Sequence, residues 1–132
     1  GLILLFRTHL SSRAIVHADV GKTVQIVQNL ITNAIKYTKE GTIIVVVRDD
    51  VKKKKVFVDI TDTGMGMSEE TQHLLFQKFS RAHNANEMNT SGTGLGLFVA
   101  EQMAVAMGGS IEAYSEGEGK GSRFTFSLPL AL

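Results

Sequence analysis

The hydrophobic period of this chain switches repeatedly between two and 3.6 residues, so the chain must combine strands with helices. Residues 42–48 and 55–61 are β-branched runs, and 49–54 between them read as a hairpin loop. Residues 2–6 and 14–17 read as two further short strands. Asp19 suits the N-cap of a helix that runs to about Lys39 and stops at Gly41. A shorter helix is expected over 68–79, with Ser68 as its N-cap. Residues 95–107 are helical in pattern and end at Gly108 and Gly109. Residues 110–115 and 122–128 close the chain as a hairpin, with Phe124, Phe126 and Leu128 alternating inward. Residues 81–93 carry neither period and are rich in Asn, Ser and Thr. They read as a mobile loop whose length points to function. The pattern predicts an α+β fold, a mixed sheet with helices on one face.

A length of 132 residues fits one domain, 1–132, with no repeat or linker. The absence of cysteine excludes disulfides and any Cys-containing metal site. A net charge of +1 gives no electrostatic case for nucleic acid or an anionic membrane. The longest apolar runs, 2–6 and 43–47, are too short to cross a bilayer, and no signal-peptide pattern is present. A cytosolic domain is the default expectation. The unusual quantity is glycine: there are 13, and they cluster.

At about 100° per residue, Val20, Val24, Val27, Ile31 and Ala34 fall in one narrow arc of the first helix, the expected core face. Gln25, Asn29, Asn33 and Lys36 fall on the opposite side. A solvated face is the ordinary reading of such a stripe. Asn, however, is a poor helix former because its amide competes for backbone hydrogen bonds. A free surface is built more cheaply from Glu, Lys or Arg. An amide oxygen is also a hard, neutral ligand suited to Mg²⁺, which borrows further oxygens from a nucleotide. Lys36, one turn on, would then meet a phosphate.

The glycines mark two loops. Asp62-Thr63-Gly64-Met65-Gly66 directly follows a strand. An ionised carboxylate only accepts hydrogen bonds, so Asp62 matches an amine and not a phosphate. An ordinary Asp-containing turn is the plain alternative. Gly92-Thr93-Gly94-Leu95-Gly96-Leu97 leads from the polar loop into a helix, where free N–H groups make an anion site. A merely flexible glycine loop is the alternative there. The Rossmann pattern fails because the spacing is G-x-G-x-G and no strand precedes it. The Walker pattern fails because Val16 stands where Gly21-Lys22-Thr23 needs its first glycine, and Gly119-Lys120-Gly121 lacks the Ser/Thr after lysine.

The order of these signals resembles a known family. Asn29-Leu-Ile-Thr-Asn33-Ala-Ile-Lys36-Tyr37-Thr38 is similar to the N box of sensor histidine kinases, and Asp62-Thr-Gly64-Met-Gly66-Met to their G1 box. Phe76-Gln-Lys-Phe79 resembles the F box, and Gly92-Thr-Gly94-Leu-Gly96-Leu97 the G2 box. The closing Gly119-Lys-Gly121-Ser122-Arg-Phe124-Thr-Phe126-Ser-Leu-Pro129 looks like the family's last strand. The resemblance covers about residues 14–130. It implies the ATP-binding catalytic domain of a histidine kinase, in the group that includes gyrase B, Hsp90 chaperones and MutL. The implied fold is the Bergerat type: a two-layer α/β sandwich whose mixed, mostly antiparallel sheet is covered on one face by helices.

The resemblance also implies roles. Asn33 would ligand Mg²⁺, with Asn29 beside it supporting the metal or phosphate shell. Lys36 would contact phosphate, and Tyr37 would pack against adenine or ribose. Asp62 would accept from the adenine amine, and Gly64 and Gly66 would admit the base. Gly92, Thr93, Gly94, Leu95, Gly96 and Leu97 would form the phosphate-binding turn. Ser122 would hold a water near adenine, and Arg81 would reach the γ-phosphate; a solvated loop arginine is its plain alternative. Phe76 and Phe79 read as lid anchors. The implied catalytic set is Asn33, Lys36 and Arg81, acting on ATP with Mg²⁺ and leaving ADP. The implied partners are a dimerisation domain bearing the phosphoacceptor histidine and a downstream response regulator, with no nucleic acid and no membrane insertion of this domain. The parent protein can itself be membrane-anchored.

His9 is followed by Leu10-Ser11-Ser12 and not by the acidic residue of the family's acceptor motif, so it is not the phosphoacceptor. The chain alone is therefore expected to bind MgATP or MgADP without labelling itself or hydrolysing ATP at a useful rate. Two readings of the same fold stand beside this one: a stand-alone serine kinase of the anti-sigma type, and a regulatory module that binds nucleotide without catalysis. An ATP-gated clamp, as in the chaperones and topoisomerases, would need flanking dimerisation segments. Lys52, Lys53, Lys54 and Lys55 read as a solvated hairpin turn, and Met65, Met67, Met103 and Met107 as core or pocket wall.

Overall fold

The computed structural model describes residues 1–11, 14–76 and 96–131. Strand β1 is Leu2–His9, helix α1 Val20–Lys36, strands β2 and β3 Gly41–Asp50 and Lys55–Asp62, and helix α2 Glu69–Leu74. Helix α3, Gly96–Ala106, and strands β4 and β5, Ser110–Tyr114 and Ser122–Pro129, complete the chain. The strands form one sheet in the order β1-β2-β3-β5-β4. Strand β1 runs parallel to β2, and every other pairing is antiparallel. This is the expected mixed, mostly antiparallel sheet of an α+β sandwich.

The inner face follows the strand alternation. Ile43 and Val45 of β2, Ile60 of β3, and Phe124, Phe126 and Leu128 of β5 are buried there. Ile26, Leu30 and Ala34 of α1 and Ala100 and Ala104 of α3 close over them. The outer face is polar where β2, β3 and β5 meet. Arg48 pairs with Asp59 and lies 4.2 Å over the Phe57 ring, and Thr125 Oγ1 donates to Asp59 at 2.8 Å.

Three local expectations are corrected. Residues 14–17 are not a strand; β1 is a single strand reaching His9, and the Ile15 carbonyl accepts from the Ala131 N–H at 2.7 Å. Helix α1 begins as expected, with the Asp19 carboxylate accepting from the Lys22 N–H at 2.9 Å. It ends at Lys36, not near Lys39, and Gly41, at φ +131°, opens β2 instead of stopping the helix. The core face of α1 matches the predicted arc only in part: Ala34 is buried and Val27 and Ile31 pack against the core. Val20 and Val24 are 77% and 57% exposed, while Ile26 and Leu30, outside that arc, are buried. The helix is rolled by roughly 80° from the expected orientation, at the ~100° per residue of an α-helix.

Candidate nucleotide site

The site is built around the end of β3. Asp62 is the last residue of that strand, and in register it lies between Ile43 of β2 and Ser122 of β5. Its side chain is carried inward by the same alternation that buries Ile60, and the residue is only 7% exposed. One carboxylate oxygen accepts from the Gly64 N–H at 2.8 Å. Burial pushes the Asp62 carboxyl above the usual carboxylate range, while the N–H groups of Gly64 and Ser122 and the Thr38 hydroxyl draw it the other way. Burial wins. Thr38, just past the end of α1, is 1% exposed, and its Oγ1 is a buried side-chain oxygen without a hydrogen bond of acceptable geometry. Its pull on Asp62 is accordingly the weakest of the three.

The loop after Asp62 is held by backbone on both sides. Toward the end of α1, the Met65 N–H donates to the Tyr37 carbonyl at 3.0 Å, and toward β2 the Thr63 N–H donates to the Thr42 carbonyl at 3.1 Å. Toward the β4–β5 turn, Gly119 N–H donates to Met65 O at 2.7 Å and Gly121 N–H to Gly64 O at 3.2 Å. Close approach explains the glycines. A Cβ on Gly64 would stand 2.2 Å from the Tyr37 carbonyl oxygen and 2.6 Å from Thr38 Oγ1. Gly66 has φ +67°, and a Cβ there would stand 2.2 Å from the Gly117 carbonyl oxygen.

The roll of α1 changes the setting of its polar stripe. Asn29 and Asn33 are half-buried at the border of the packed face, whereas Gln25 and Lys36 are exposed. The stripe is therefore not opposite the core, as the sequence suggested, but beside it. Asn29 Nδ2 donates to the carbonyl of Gly96, the first residue of α3, at 2.8 Å. That bond ties the N-box helix to the start of the helix that follows the second glycine cluster. Tyr37 is the C-cap of α1 and is half-buried, and burial pushes its phenol up. Leu97 packs against the core cluster. Arg81, Gly92, Thr93, Gly94 and Leu95 lie outside the described residues, as do the expected loop 81–93 and Phe79.

Among the described residues no group of three or more His, Cys, Asp or Glu is placed to hold a metal. An ion held here would rely on amide oxygens and on those of its ligand. Ser115 and Gln72 were not singled out from the sequence, and Thr38 and Gly121 stood only within motifs, without a role of their own. The burial of Thr38 depends on where α1 meets β3, which no local pattern encodes.

The structure thus brings together a buried carboxylate at a strand end, a glycine loop beside it and a helix start tethered to an Asn. Residues 18–132 match the family described as histidine kinase-, DNA gyrase B- and HSP90-like ATPase. The sensor protein GacS of Pseudomonas syringae pv. syringae is 40% identical over 109 residues, 80% of this chain and 12% of that protein. The sensor histidine kinase WalK of Bacillus subtilis is 36% identical over 115 residues, 86% of this chain and 19% of WalK. Among solved structures, the catalytic domain of histidine kinase ThkA superposes with a TM-score of 0.80 at 28% identity, over 98% of this chain and 79% of that one. Full-length ShkA in complex with AMPPNP gives 0.76 at 29% identity, over 97% of this chain and 26% of ShkA. This chain belongs to the histidine kinase-, DNA gyrase B- and HSP90-like ATPase family. Within that family it is an ATP-binding catalytic domain of the histidine kinase type. It spans only a small part of the length of the curated relatives it matches. Among the described residues no helix is long and apolar enough to cross a membrane.

Proposed function

We propose that residues 1–132 form one ATP-binding unit of a two-component sensor kinase. It transfers the γ-phosphoryl group to a histidine on a separate dimerisation domain, from which a response regulator takes it. The observation that carries this reading is Asp62: a buried carboxylate at the end of β3, beside the glycine loop 64–66, is acceptor-only when ionised and suits the exocyclic amine of adenine. Gly64 and Gly66 admit the base, Tyr37 packs against it, and Ser122 supports a water at its edge. Asn33 holds Mg²⁺ through its amide oxygen, and Asn29 backs that site from its bond to Gly96. Lys36 and Arg81 meet phosphate oxygens, and the N–H groups of residues 92–97 cradle the rest. Bound Mg²⁺ supplies charge neutralisation across the phosphates, the chief demand of phosphoryl transfer together with positioning. The domain works where ATP is supplied, in the cytoplasm.

Labelled ATP and an added histidine-bearing dimerisation domain test this reading. The expected result is acid-labile label on the added domain and none on this chain. Acid-stable label would favour a serine kinase, and ADP binding with no transfer to any acceptor would favour a regulatory module.

A further inference from the structure

We infer that Ser115, braced by Gln72, is a positioning residue for the adenine end of the site, because it fixes the Gly121–Ser122 peptide that backs Asp62. The inference rests on the nucleotide reading above. Ser115 follows the last residue of β4 and is buried. Its Oγ accepts from the Met67 N–H at 3.0 Å and the Gly117 N–H at 3.2 Å, and donates to the Gly121 carbonyl at 2.6 Å. A hydroxyl offers one donor and two acceptor positions; the Gly117 carbonyl, at 3.1 Å, shares the one hydrogen with the closer Gly121 carbonyl. One side chain thus joins the loop after β3, the β4–β5 turn and the residue that leads into β5.

Gln72 holds Ser115 in turn. Its Oε1 accepts from the Ser115 N–H at 3.1 Å, and its Nε2 donates to the Ser115 carbonyl, also at 3.1 Å. The amide pairs with Ser115 as a neighbouring strand residue would. Nε2 also lies 3.3 Å from the Met67 carbonyl, so the brace reaches the same loop that Ser115 grips. Gln72 belongs to α2, whose N-cap, Ser68, directly follows Met67.

The consequence lies in the next peptide unit. A trans peptide points its C=O and N–H in opposite directions within one rigid plane. The Gly121 carbonyl is held by Ser115, and the N–H of the same unit belongs to Ser122, which stands opposite Asp62 in the β3–β5 register and draws its carboxyl down. Gly121 is also pressed close: a Cβ there would stand 2.1 Å from the Asp62 carbonyl oxygen. Orienting the carbonyl from behind therefore orients the Ser122 N–H, on the residue paired with Asp62. Removing the Ser115 hydroxyl leaves the plane free to tilt, and Asp62 loses part of the frame that aims it at the base.

The test is Ser115→Ala, read by calorimetric titration with ADP and by hydrogen exchange of the Ser122 amide. ADP affinity should fall about five- to tenfold, the scale of one lost hydrogen bond. Exchange at Ser122 should quicken while that of Val45, in the middle of β2, stays unchanged. Should Ser115→Ala fail to fold, Gln72→Met carries the same test, with a drop of about threefold expected for the indirect brace. Unchanged ADP affinity in the variant, or equal acceleration of all amides, overturns the inference while leaving the nucleotide reading intact. A wild-type chain that binds no ADP overturns that reading, and this inference with it.

Discussion

Asp62 carries opposite consequences for stability and for binding. Its folded-state pKa is raised, chiefly by burial, with no neighbouring charge contributing. Between the ordinary carboxylate range and that raised value the folded protein holds more protons than the unfolded chain. The stability of the nucleotide-free protein therefore falls as pH rises through this window, and the full cost stands above it. Asp62→Asn removes the charge, so the empty variant should have a higher Tm than wild type at pH 8. The difference should close as pH falls below the usual carboxylate range; an unchanged or lower Tm at pH 8 contradicts the account. Binding runs the other way, because an ionised carboxylate accepts from an adenine amine more strongly than a protonated one does. ADP affinity of the wild type should weaken on acidification, and it should begin to do so at a higher pH than an ordinary aspartate would dictate. Of the pocket, the Asp and the glycines were legible because they are rare residue types at fixed spacing. Thr38 and Ser115 were not, because a buried hydroxyl is recognised only by what surrounds it.

Helix α1 shows why an element can be placed correctly and still be turned wrongly. Apolar residues span about half its circumference, from Ile26 and Leu30 at one edge through Ala34, Val27 and Ile31 to Val24 and Ile35 at the other. Periodicity locates such an arc but does not choose which half meets the sheet; packing against Ile60 and α3 decides it. The choice has a measurable sign. Leu30→Ala should cost about 2–5 kcal/mol in urea unfolding, the range for a cavity in a closed core. Val24→Ala should lie within about 0.5 kcal/mol of wild type, as exposed positions do. The reverse order would restore the arc read from sequence. The same roll moves Asn29 and Asn33 from the solvent side to the border of the core, where Asn29 reaches Gly96. The polar stripe was legible; its closeness to α3 was not, since that depends on residues 67 positions apart.

At the scale of the molecule, all five strands of the sheet were legible, because a two-residue period survives almost any context. Residues 14–17 read as a strand and are not one. The strand read short is β1, where Arg7, Thr8 and His9 extend it beyond its apolar run. That strand is an edge, and Leu2, Ile3, Leu4, Leu5 and Phe6 are all exposed on it. A long apolar edge is a template for pairing with other chains. The isolated chain should therefore self-associate as concentration rises, and Ile3→Lys with Phe6→Lys should suppress this in size-exclusion chromatography. Association unaffected by those changes would place the sticky surface elsewhere. The edge lies far from the chemistry in sequence, yet its parallel pairing with β2 helps hold the register that sets Asp62 against Ser122. The central claim is that this register makes an adenine pocket. Calorimetric titration of wild type and Asp62→Asn with ADP and GDP tests it most directly. Wild type should bind ADP and not GDP, whose O6 accepts where adenine donates, and Asp62→Asn should lose ADP. Equal affinity for the two nucleotides, or undiminished ADP binding by Asp62→Asn, would contradict it.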